Sequence, residues 1–476
     1  MDSAKNLPVA VIGAGPVGLA AAAHLIERGL EPLILEAGPS AGAAIEQWRH
    51  IRLFSPWQYN IDAAAVRLLE ASGWESPRPT ALPYGGELID QYLTPLAALP
   101  EIASRLQTGA SVLAITRRGL DKTHTRDRES TPFVVRVEHE DGETRDYTVA
   151  GVIDASGTWS TRNPLGISGL PAIGEDSAAD RISSPLPDVT GHDRASFAGR
   201  RVLVVGAGHS AANTLISLAD LAKDEPDTRI LWAVRGASAE KVYGGGDADG
   251  LPARGQLGAR LRRLVEAGTI ELHTGFGIAS LKALGSGVTV GAVDGRTLEA
   301  DVVVPCTGFR PYLDILRELR LNLDPAVEAP VELGPLIDPE FHSCGTVPPH
   351  GAALLAHPDK DFYIVGMKSY GRAPTFLLAT GYEQVRSVAA ALAGDREAAD
   401  TVQLELPETG VCSSDAGTSC DVPVAAAVGS KSSCCAAPEP VLVGFPTGLS
   451  HGRSGEDTLA ASLLSGPGSD KEESNA

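Results

Sequence analysis

Two glycine-rich segments carry the residue types that could hold a dinucleotide. The first is Gly13-Ala-Gly15-Pro16-Val-Gly18, directly after the apolar run 8–12, and the second is Gly206-Ala-Gly208-His-Ser210-Ala211, directly after 201–205. In such a turn the first glycine allows the bend, the second lets the backbone approach a pyrophosphate, and the third position must be small. The N–H groups at the start of the following helix then bind the phosphates. One such turn is common between strand and helix, but two in matched contexts predict two bound nucleotides.

The residue at the end of the next strand predicts which nucleotide binds. Glu36 follows the apolar run 32–35, about 20 residues after the first turn, where a carboxylate accepts hydrogen bonds from ribose hydroxyls and repels a 2′-phosphate. The first site is therefore predicted to take FAD or NAD. Arg235 ends the strand predicted over 229–235, and its guanidinium can pair with a 2′-phosphate, which favours NADPH. An ordinary surface charge at a strand end is the alternative for both residues.

Three further strand ends carry the small residues that a nearby nucleotide requires. Gly157 and the Thr307-Gly308 pair each follow a buried apolar run, and such turns let the chain pass close to a nucleotide where it crosses between domains. Gly366 ends another apolar run, and Gln384 lies at the beginning of a long predicted helix. The N-terminus of that helix would favour negative charge on a reduced flavin.

From residue 7 to about residue 400 the chain resembles the two-dinucleotide-binding flavoproteins, and among them the flavin-containing monooxygenase-like proteins. The resemblance is carried by both glycine turns, Glu36, the 307–311 segment and the strand end at Gly366. It implies an α/β fold in which an FAD domain contains an inserted NADPH domain, each of them Rossmann-like. It also implies that Gln47 and Trp48 lie along the flavin and that Arg49 or Arg52 reaches the pyrophosphate. Core aromatics with snorkelling arginines are the alternative.

Two features bear on the class of enzyme. Reductases with this double architecture carry a redox dithiol beside the flavin, and no Cys-x-x-Cys pair occurs before residue 400. The usual monooxygenase signature before the second glycine turn is not intact, since His192 and Phe197-Ala-Gly199 stand in a different arrangement. The leading hypothesis is an NADPH-dependent FAD monooxygenase that oxygenates a soft nucleophile. A flavin-dependent disulfide or thiol reductase that uses C-terminal cysteines is the alternative.

Four of the six cysteines lie after residue 405: Cys412, Cys420, Cys434 and Cys435. Their spacing is not that of a zinc site, which leaves soft partners such as a trivalent arsenical, or electron transfer to the flavin. This tail, the 54–57 segment and the 368–374 segment resemble the flavoprotein monooxygenases of arsenic-resistance gene clusters. Cys344 and His350 are candidate catalytic residues, with a buried small residue as the alternative for Cys344. Cys306 is predicted to be structural.

The net charge predicts the class of partner that the protein binds, and the pattern of residue types along the chain predicts its domain boundaries. A net charge of −20 disfavours nucleic acid and anionic membrane surfaces, which leaves dioxygen, a small-molecule substrate and a second copy of the chain as expected partners. The apolar region 9–26 is interrupted by glycines, Pro16 and His24, so we expect neither a membrane span nor an export signal, and a cytoplasmic protein. The predicted parts are an FAD domain (1–165), a linker (166–194), an NADPH domain (195–310), the rest of the FAD domain (311–405) and a low-complexity, largely disordered tail (406–476).

Overall fold

The computed structural model describes residues 7–244, 252–340, 347–374 and 376–404. Within these ranges the strands are β1 (Val9–Ile12), β2 (Pro32–Leu35), β3 (Leu106–Gln107), β4 (Ala110–Arg117), β5 (Phe133–His139), β6 (Thr144–Val149), β7 (Gly151–Asp154), β8 (Arg201–Val205), β9 (Arg229–Ala233), β10 (Glu271–His273), β11 (Ile278–Leu284), β12 (Gly287–Ala292), β13 (Thr297–Ala300), β14 (Val302–Pro305) and β15 (Phe362–Ile364).

The α-helices in the same ranges are α1 (Pro16–Glu27), α2 (Ala43–Glu46), α3 (Ala63–Ala71), α4 (Gly85–Leu88), α5 (Thr94–Ala98), α6 (Pro100–Ala103), α7 (Arg194–Phe197), α8 (His209–Asp224), α9 (Glu240–Tyr243), α10 (Pro252–Glu266), α11 (Gly334–Ile337), α12 (Leu378–Leu392) and α13 (Arg396–Asp400). A π-helical turn covers Ile89–Leu93, and short 3-10 helices cover Trp57–Tyr59, Arg128–Ser130, Asp176–Arg181, Asp314–Leu316 and Gly366–Tyr370.

The first domain is built on a parallel sheet in the order β15-β7-β1-β2-β3. Its central strands are buried on both faces, which explains their uninterrupted apolar sequence. Val9 and Val11 of β1 pack against α1 and α12, whereas Ala10 and Ile12 face the antiparallel sheet β4-β5-β6. The sheet is therefore covered by helices on one side and by a second sheet on the other. The carboxyl ends of β1, β7 and β15 lie side by side.

The second domain repeats this arrangement on a parallel sheet in the order β10-β9-β8-β14. Val202 and Val204 of β8 contribute to the core beneath α8, and Leu203 and Val205 contribute to the opposite core, which also includes residues of the antiparallel sheet β11-β12-β13. Both parallel sheets thus have one helix-covered face and one face covered by three antiparallel strands. These sheets confirm the predicted mixed α/β class with two Rossmann-like domains.

The segment 166–194, which the sequence predicts to be a linker, is packed into the second domain. Ala172 and Ala178 belong to the core that contains β8 and β14. Ile173 forms a bridge with Ser280 of β11, and Ile182 forms one with Val303 of β14. Its glycines, prolines and acids therefore reflect an irregular but ordered path over the sheet.

The two crossings between the domains run beside each other. Asn163 N donates to the Gly308 carbonyl over 2.9 Å, and Arg310 N donates to the Thr161 carbonyl over 3.0 Å. Thr307 Oγ1 donates to the Asn163 carbonyl over 2.6 Å, and Asn163 Nδ2 donates back to the Thr307 carbonyl over 3.1 Å. These four hydrogen bonds join the outgoing and returning chains into a short neck.

A buried charged cluster ties the sheet β4-β5-β6 to the segment before β15. Asp359 is 1% exposed and accepts from Arg117 Nε over 3.2 Å and from Arg128 Nε over 2.8 Å. Its second oxygen accepts from Arg128 and from the backbone N–H of Arg320. The Arg117 guanidinium also lies 3.6 Å from the ring centre of Phe133. One carboxylate thus serves two buried guanidinium groups from different parts of the chain.

Candidate functional site

The first glycine turn joins β1 to α1 and leaves room for a side chain at only one of its three key positions. Gly13 has a φ of +94°, and a Cβ there would lie 2.9 Å from the Ala155 carbonyl oxygen. A Cβ on Gly18 would collide with the Gly13 carbonyl oxygen, whereas a Cβ on Gly15 would meet nothing within 4 Å. A side chain at Gly13 or Gly18 would therefore collide with the protein, whereas the space beside Gly15 is free, and this is where a pyrophosphate would approach.

The second turn, between β8 and α8, has the same construction. Gly206 has a φ of +135°, and a Cβ on it would collide with the Cys306 carbonyl oxygen. A Cβ on Gly208 would meet nothing within 4 Å. Ala211 is fully buried against the sheet, and Ser210 lies half-buried in the first turn of the helix. Both turns thus present an open cradle at their second glycine, which fits two dinucleotides.

The helices that follow the turns begin without caps. Gly15 and Gly208 are the N-cap residues, neither helix has a side-chain cap, and neither has an acidic residue in its first turn. Neither helix start is therefore capped by a side chain of its own N-cap residue, as is typical of helix ends that bind a phosphate. The positive end of each helix dipole adds attraction for an anion.

Glu36 lies directly beside the first turn. Its carboxylate accepts from Ala14 N over 2.6 Å and from Gly38 N over 2.8 Å. The side chain is half-buried at the end of β2, one strand away from the glycine turn. This position supports its predicted role at a ribose, because two backbone donors hold a carboxylate within reach of the nucleotide cradle.

Arg235 lies two residues beyond the end of β9, which is the strand next to the second turn and is shorter than the predicted 229–235. Its side chain is exposed and has no hydrogen-bond or ion-pair partner in the part of the chain that the structure describes. A free guanidinium at this strand end suits a 2′-phosphate.

Arg235→Ala is expected to raise the KM for NADPH by about 10- to 100-fold, the value of one or two charge-assisted hydrogen bonds. The KM for NADH should change little, because that cofactor lacks the phosphate. Initial rates with both cofactors measure the ratio. Arg229→Ala, at the exposed opposite end of the same strand, is the control and should leave the ratio unchanged. An unaltered ratio in Arg235→Ala would refute the 2′-phosphate role.

A buried hydrogen-bond network fixes the turn after β15. Gly366 N donates to Gln384 Oε1 over 2.7 Å, and Ser369 Oγ donates to the Gly366 carbonyl over 2.7 Å. Gln384 Nε2 donates to Ser369 Oγ and to His350 Nε2, each over 2.9 Å. The proton of His350 is therefore assigned to Nδ1, which donates to the Pro348 carbonyl over 3.0 Å. Gln384 thus holds the Gly366 turn from within the protein.

The same network changes the interpretation of His350, a candidate catalytic residue. The side chain is 3% exposed, both ring nitrogens are engaged, and burial lowers its pKa. This geometry favours a neutral histidine that orients Gln384 and so acts as a positioning group for the turn. Its proposed companion, Cys344, lies outside the described residues.

Two buried neutral histidines, His350 and His357, should make the free energy of unfolding depend on pH. Burial lowers the pKa of His350 and lowers that of His357 to about 4, below the unfolded value of about 6.5. The stabilisation is present above pH 6.5 and is lost as the pH falls, because only the unfolded chain binds protons readily in that range. For His357 the expected loss of unfolding free energy between pH 7 and pH 5 is about 2 kcal/mol. Denaturant titrations should show a flatter profile for His357→Phe, and an unchanged slope would contradict this assignment.

Aromatic side chains gather where the two domains meet. Trp159 lies 4.7 Å from Phe309 and 6.4 Å from Trp48 between ring centres. Trp159 Nε1 donates to Gln47 Oε1 over 2.9 Å, and Trp48 packs on Gly85, where a Cβ would lie 2.9 Å from the indole ring. Gln47 and Trp48 are therefore brought to the neck between the domains, beside the crossing residues. Trp159 belongs to this aromatic group and was not singled out from the sequence, whereas Phe309 lies in the 307–311 segment that carries the resemblance.

Arg49 and Arg52 are engaged away from the glycine turn. Arg49 forms ion pairs with Glu46 and Asp90, each at 3.0 Å. The Arg52 guanidinium lies 5.9 Å from the ring centre of Tyr84. No described contact connects either residue with the first cradle, so the expected contact with the pyrophosphate finds no support.

The site thus consists of two cradles, with the carboxylate of Glu36 beside the first and the guanidinium of Arg235 beside the second. Comparison with known proteins identifies the family to which a chain with this site belongs. The family model described as "Pyridine nucleotide-disulphide oxidoreductase" matches residues 10–331. The chain belongs to this family. Membership confirms the predicted two-dinucleotide-binding oxidoreductase, and the predicted cofactors, FAD and NADPH, agree with it.

Solved structures of different activities share the fold of this family member. Bacillithiol disulfide reductase from Bacillus cereus is 19% identical with a TM-score of 0.59, over 82% of this chain and 99% of that one. The cadaverine monooxygenase DfoA from Erwinia amylovora is 12% identical with a TM-score of 0.58, over 85% and 98%. The flavin-containing monooxygenase from Stenotrophomonas maltophilia is 21% identical with a TM-score of 0.50, over 82% and 98%. These likenesses confirm the fold.

A curated relative, ferredoxin–NADP reductase from Rickettsia felis, is 27% identical over 137 residues. The match spans 28% of this chain and about a third (36%) of that relative. Among the described residues, no helix is long and apolar enough to cross a membrane.

One of the six cysteines, Cys306, lies within the described residues, and the other five lie outside them. Cys306 is 5% exposed, and burial raises its pKa to about 12. Its Sγ lies 3.3 Å from the Pro185 carbonyl oxygen, to which it donates, which supports the structural role expected for it. Cys344 and the four tail cysteines, Cys412, Cys420, Cys434 and Cys435, fall outside the described residues. Within those residues, no three side chains are grouped as metal ligands.

Proposed function

We propose that this protein is an NADPH-dependent FAD monooxygenase that acts in the cytoplasm on a small soft nucleophile, with a trivalent arsenical as the candidate acceptor. The observation that carries the proposal is the pair of matching open cradles at Gly15 and Gly208. Two cradles fit an enzyme in which one nucleotide reduces the other. When bound, the flavin would accept hydride from NADPH and activate dioxygen.

The residues of the chain bind and orient the two nucleotides. The first cradle and Glu36 hold the FAD end, since Glu36 is fixed beside the turn by Ala14 N and Gly38 N. The second cradle and Arg235 hold NADPH. The Gln384 network holds the Gly366 turn, and the aromatic group around Trp159 lies beside the crossings between the domains.

A disulfide reductase of the dithiol type needs a pair of redox-active thiols, and the described residues supply no such pair. Cys306 is the sole cysteine within them, and a buried thiol with a pKa of about 12 stays protonated at neutral pH. Within the described residues this favours oxygen chemistry over disulfide chemistry, in agreement with the absence of a Cys-x-x-Cys pair before residue 400. The arsenical is supported by the cysteine-bearing sequence after residue 405, because thiolates prefer soft partners.

The test uses the full chain loaded with FAD and supplied with NADPH and isotopically labelled dioxygen. Thioanisole reports the origin of the transferred oxygen, and methylarsonous acid tests the arsenical. We expect NADPH consumption that needs oxygen, a labelled sulfoxide and a pentavalent arsenical. NADPH-driven reduction of a disulfide probe without oxygen would overturn the proposal and favour the reductase. A chain truncated after residue 405 separates the two, since a reductase dependent on tail thiols loses activity and a monooxygenase retains oxygen-dependent turnover.

A further inference from the structure

A buried ion pair lies beneath the first cradle and was not foreseen from the sequence. Lys368 Nζ is 2.6 Å from Asp154 Oδ2, and both side chains are fully buried. Ser156 Oγ donates to Asp154 Oδ1 over 2.6 Å and accepts from Lys368 Nζ over 3.0 Å. The third N–H of the ammonium has no partner in the described part of the chain. Burying these charges costs several kcal/mol per ion before pairing, and an apolar pair would avoid that cost.

The position of the pair connects it to the nucleotide cradle. Asp154 is the last residue of β7, which lies next to β1 in the sheet. A Cβ on Gly13 would lie 3.1 Å from Ser156 Cα, so Ser156 touches the first glycine turn. Ser156 is exposed and forms hydrogen bonds with both buried charges, so it connects them with the surface beside the turn. Lys368 reaches the same place from the turn that begins at Gly366.

We propose that Lys368 and Asp154 form a charge pair that sets how tightly the first site binds the flavin and how readily the bound flavin is reduced. This inference rests on the proposed function, because it takes FAD as the ligand of the first cradle. The ammonium favours negative charge on the ligand, and the carboxylate opposes it. Both act strongly because the interior screens charge poorly. Lys368 is a positioning residue that acts through charge and through Ser156.

The two single variants should shift the flavin in opposite directions. Lys368→Met removes a positive charge beneath the first cradle and leaves the carboxylate unpaired, so FAD affinity should fall by about tenfold. The midpoint potential of the flavin should become more negative. Asp154→Asn leaves the ammonium unpaired, so the potential should become more positive with FAD bound at least as tightly. The double variant removes both charges and should return close to the unchanged protein.

Flavin fluorescence titration and anaerobic potentiometry measure both quantities without turnover. Lys368→Arg keeps the charge and should preserve the potential, and Lys368→Gln replaces Lys368→Met if the latter does not fold. The control is the exposed pair Arg136 and Asp146, 2.8 Å apart, whose variants Arg136→Met and Asp146→Asn should shift neither quantity.

Shifts of the same sign in the two single variants, or no shift in either, would overturn the charge role and leave a structural one. Failure of the unchanged protein to bind FAD would instead contradict the proposed function.

Discussion

Gly15→Val is expected to fold normally and to be purified without FAD. A Cβ at Gly15 meets nothing within 4 Å, and its φ of −77° suits any residue, so the protein itself tolerates the side chain. The added methyl groups occupy the space of the pyrophosphate, and overpacking of about 1–3 kcal/mol corresponds to a loss of affinity of about 5- to 150-fold. The absorbance ratio of flavin to protein and the melting temperature measure the two effects.

Gly208→Val is the matched variant in the second cradle. Its φ of −100° and the empty space around its Cβ position also permit the side chain. This variant should remain yellow, and its flavin should no longer be reduced by NADPH at ordinary concentrations, although dithionite still reduces it. Gly18→Val provides the contrast, because its Cβ would collide with the Gly13 carbonyl and should destabilise the fold. Full FAD content in Gly15→Val would show that the flavin binds elsewhere.

Asp359→Ala is expected to lower the free energy of unfolding by about 3–5 kcal/mol. The substitution leaves the guanidinium groups of Arg117 and Arg128 buried without their shared carboxylate. Chemical denaturation followed by circular dichroism measures the loss. Asp146→Ala breaks an exposed pair with Arg136 and should leave the unfolding free energy nearly unchanged. A loss below about 1 kcal/mol in Asp359→Ala would mean that the guanidinium groups find other acceptors or water.

The sequence predicted those parts of the site that are local in the chain. Each glycine turn is a short segment between one strand and one helix, and Glu36 follows at the expected distance, so spacing alone locates them. The alternation that divides β1 between two cores is also a local pattern. The family match and the structural likenesses confirm the fold inferred from these segments.

The remaining features depend on residues that are distant in sequence. Asp154 and Lys368 are separated by 214 positions, and His350 meets Gln384 of α12 across 34 positions. A single lysine or histidine in a loop carries no signal of its partner. The packing of 166–194 on the second sheet is likewise not a local property, since its glycines and prolines indicate its bends but not the strands that it contacts.

The neck between the domains has a consequence for the topology of the chain. The outgoing chain at Asn163 and the returning chain at Gly308 are hydrogen-bonded neighbours. The segment between these two residues therefore leaves the first domain and returns to it at the same place. Closing so long a loop costs little more entropy than closing one of half its length. A short hairpin across this point would reconnect β7 to the rest of its own sheet. The second domain is thus topologically a separable insertion, whose two ends lie next to each other at one point of the first domain.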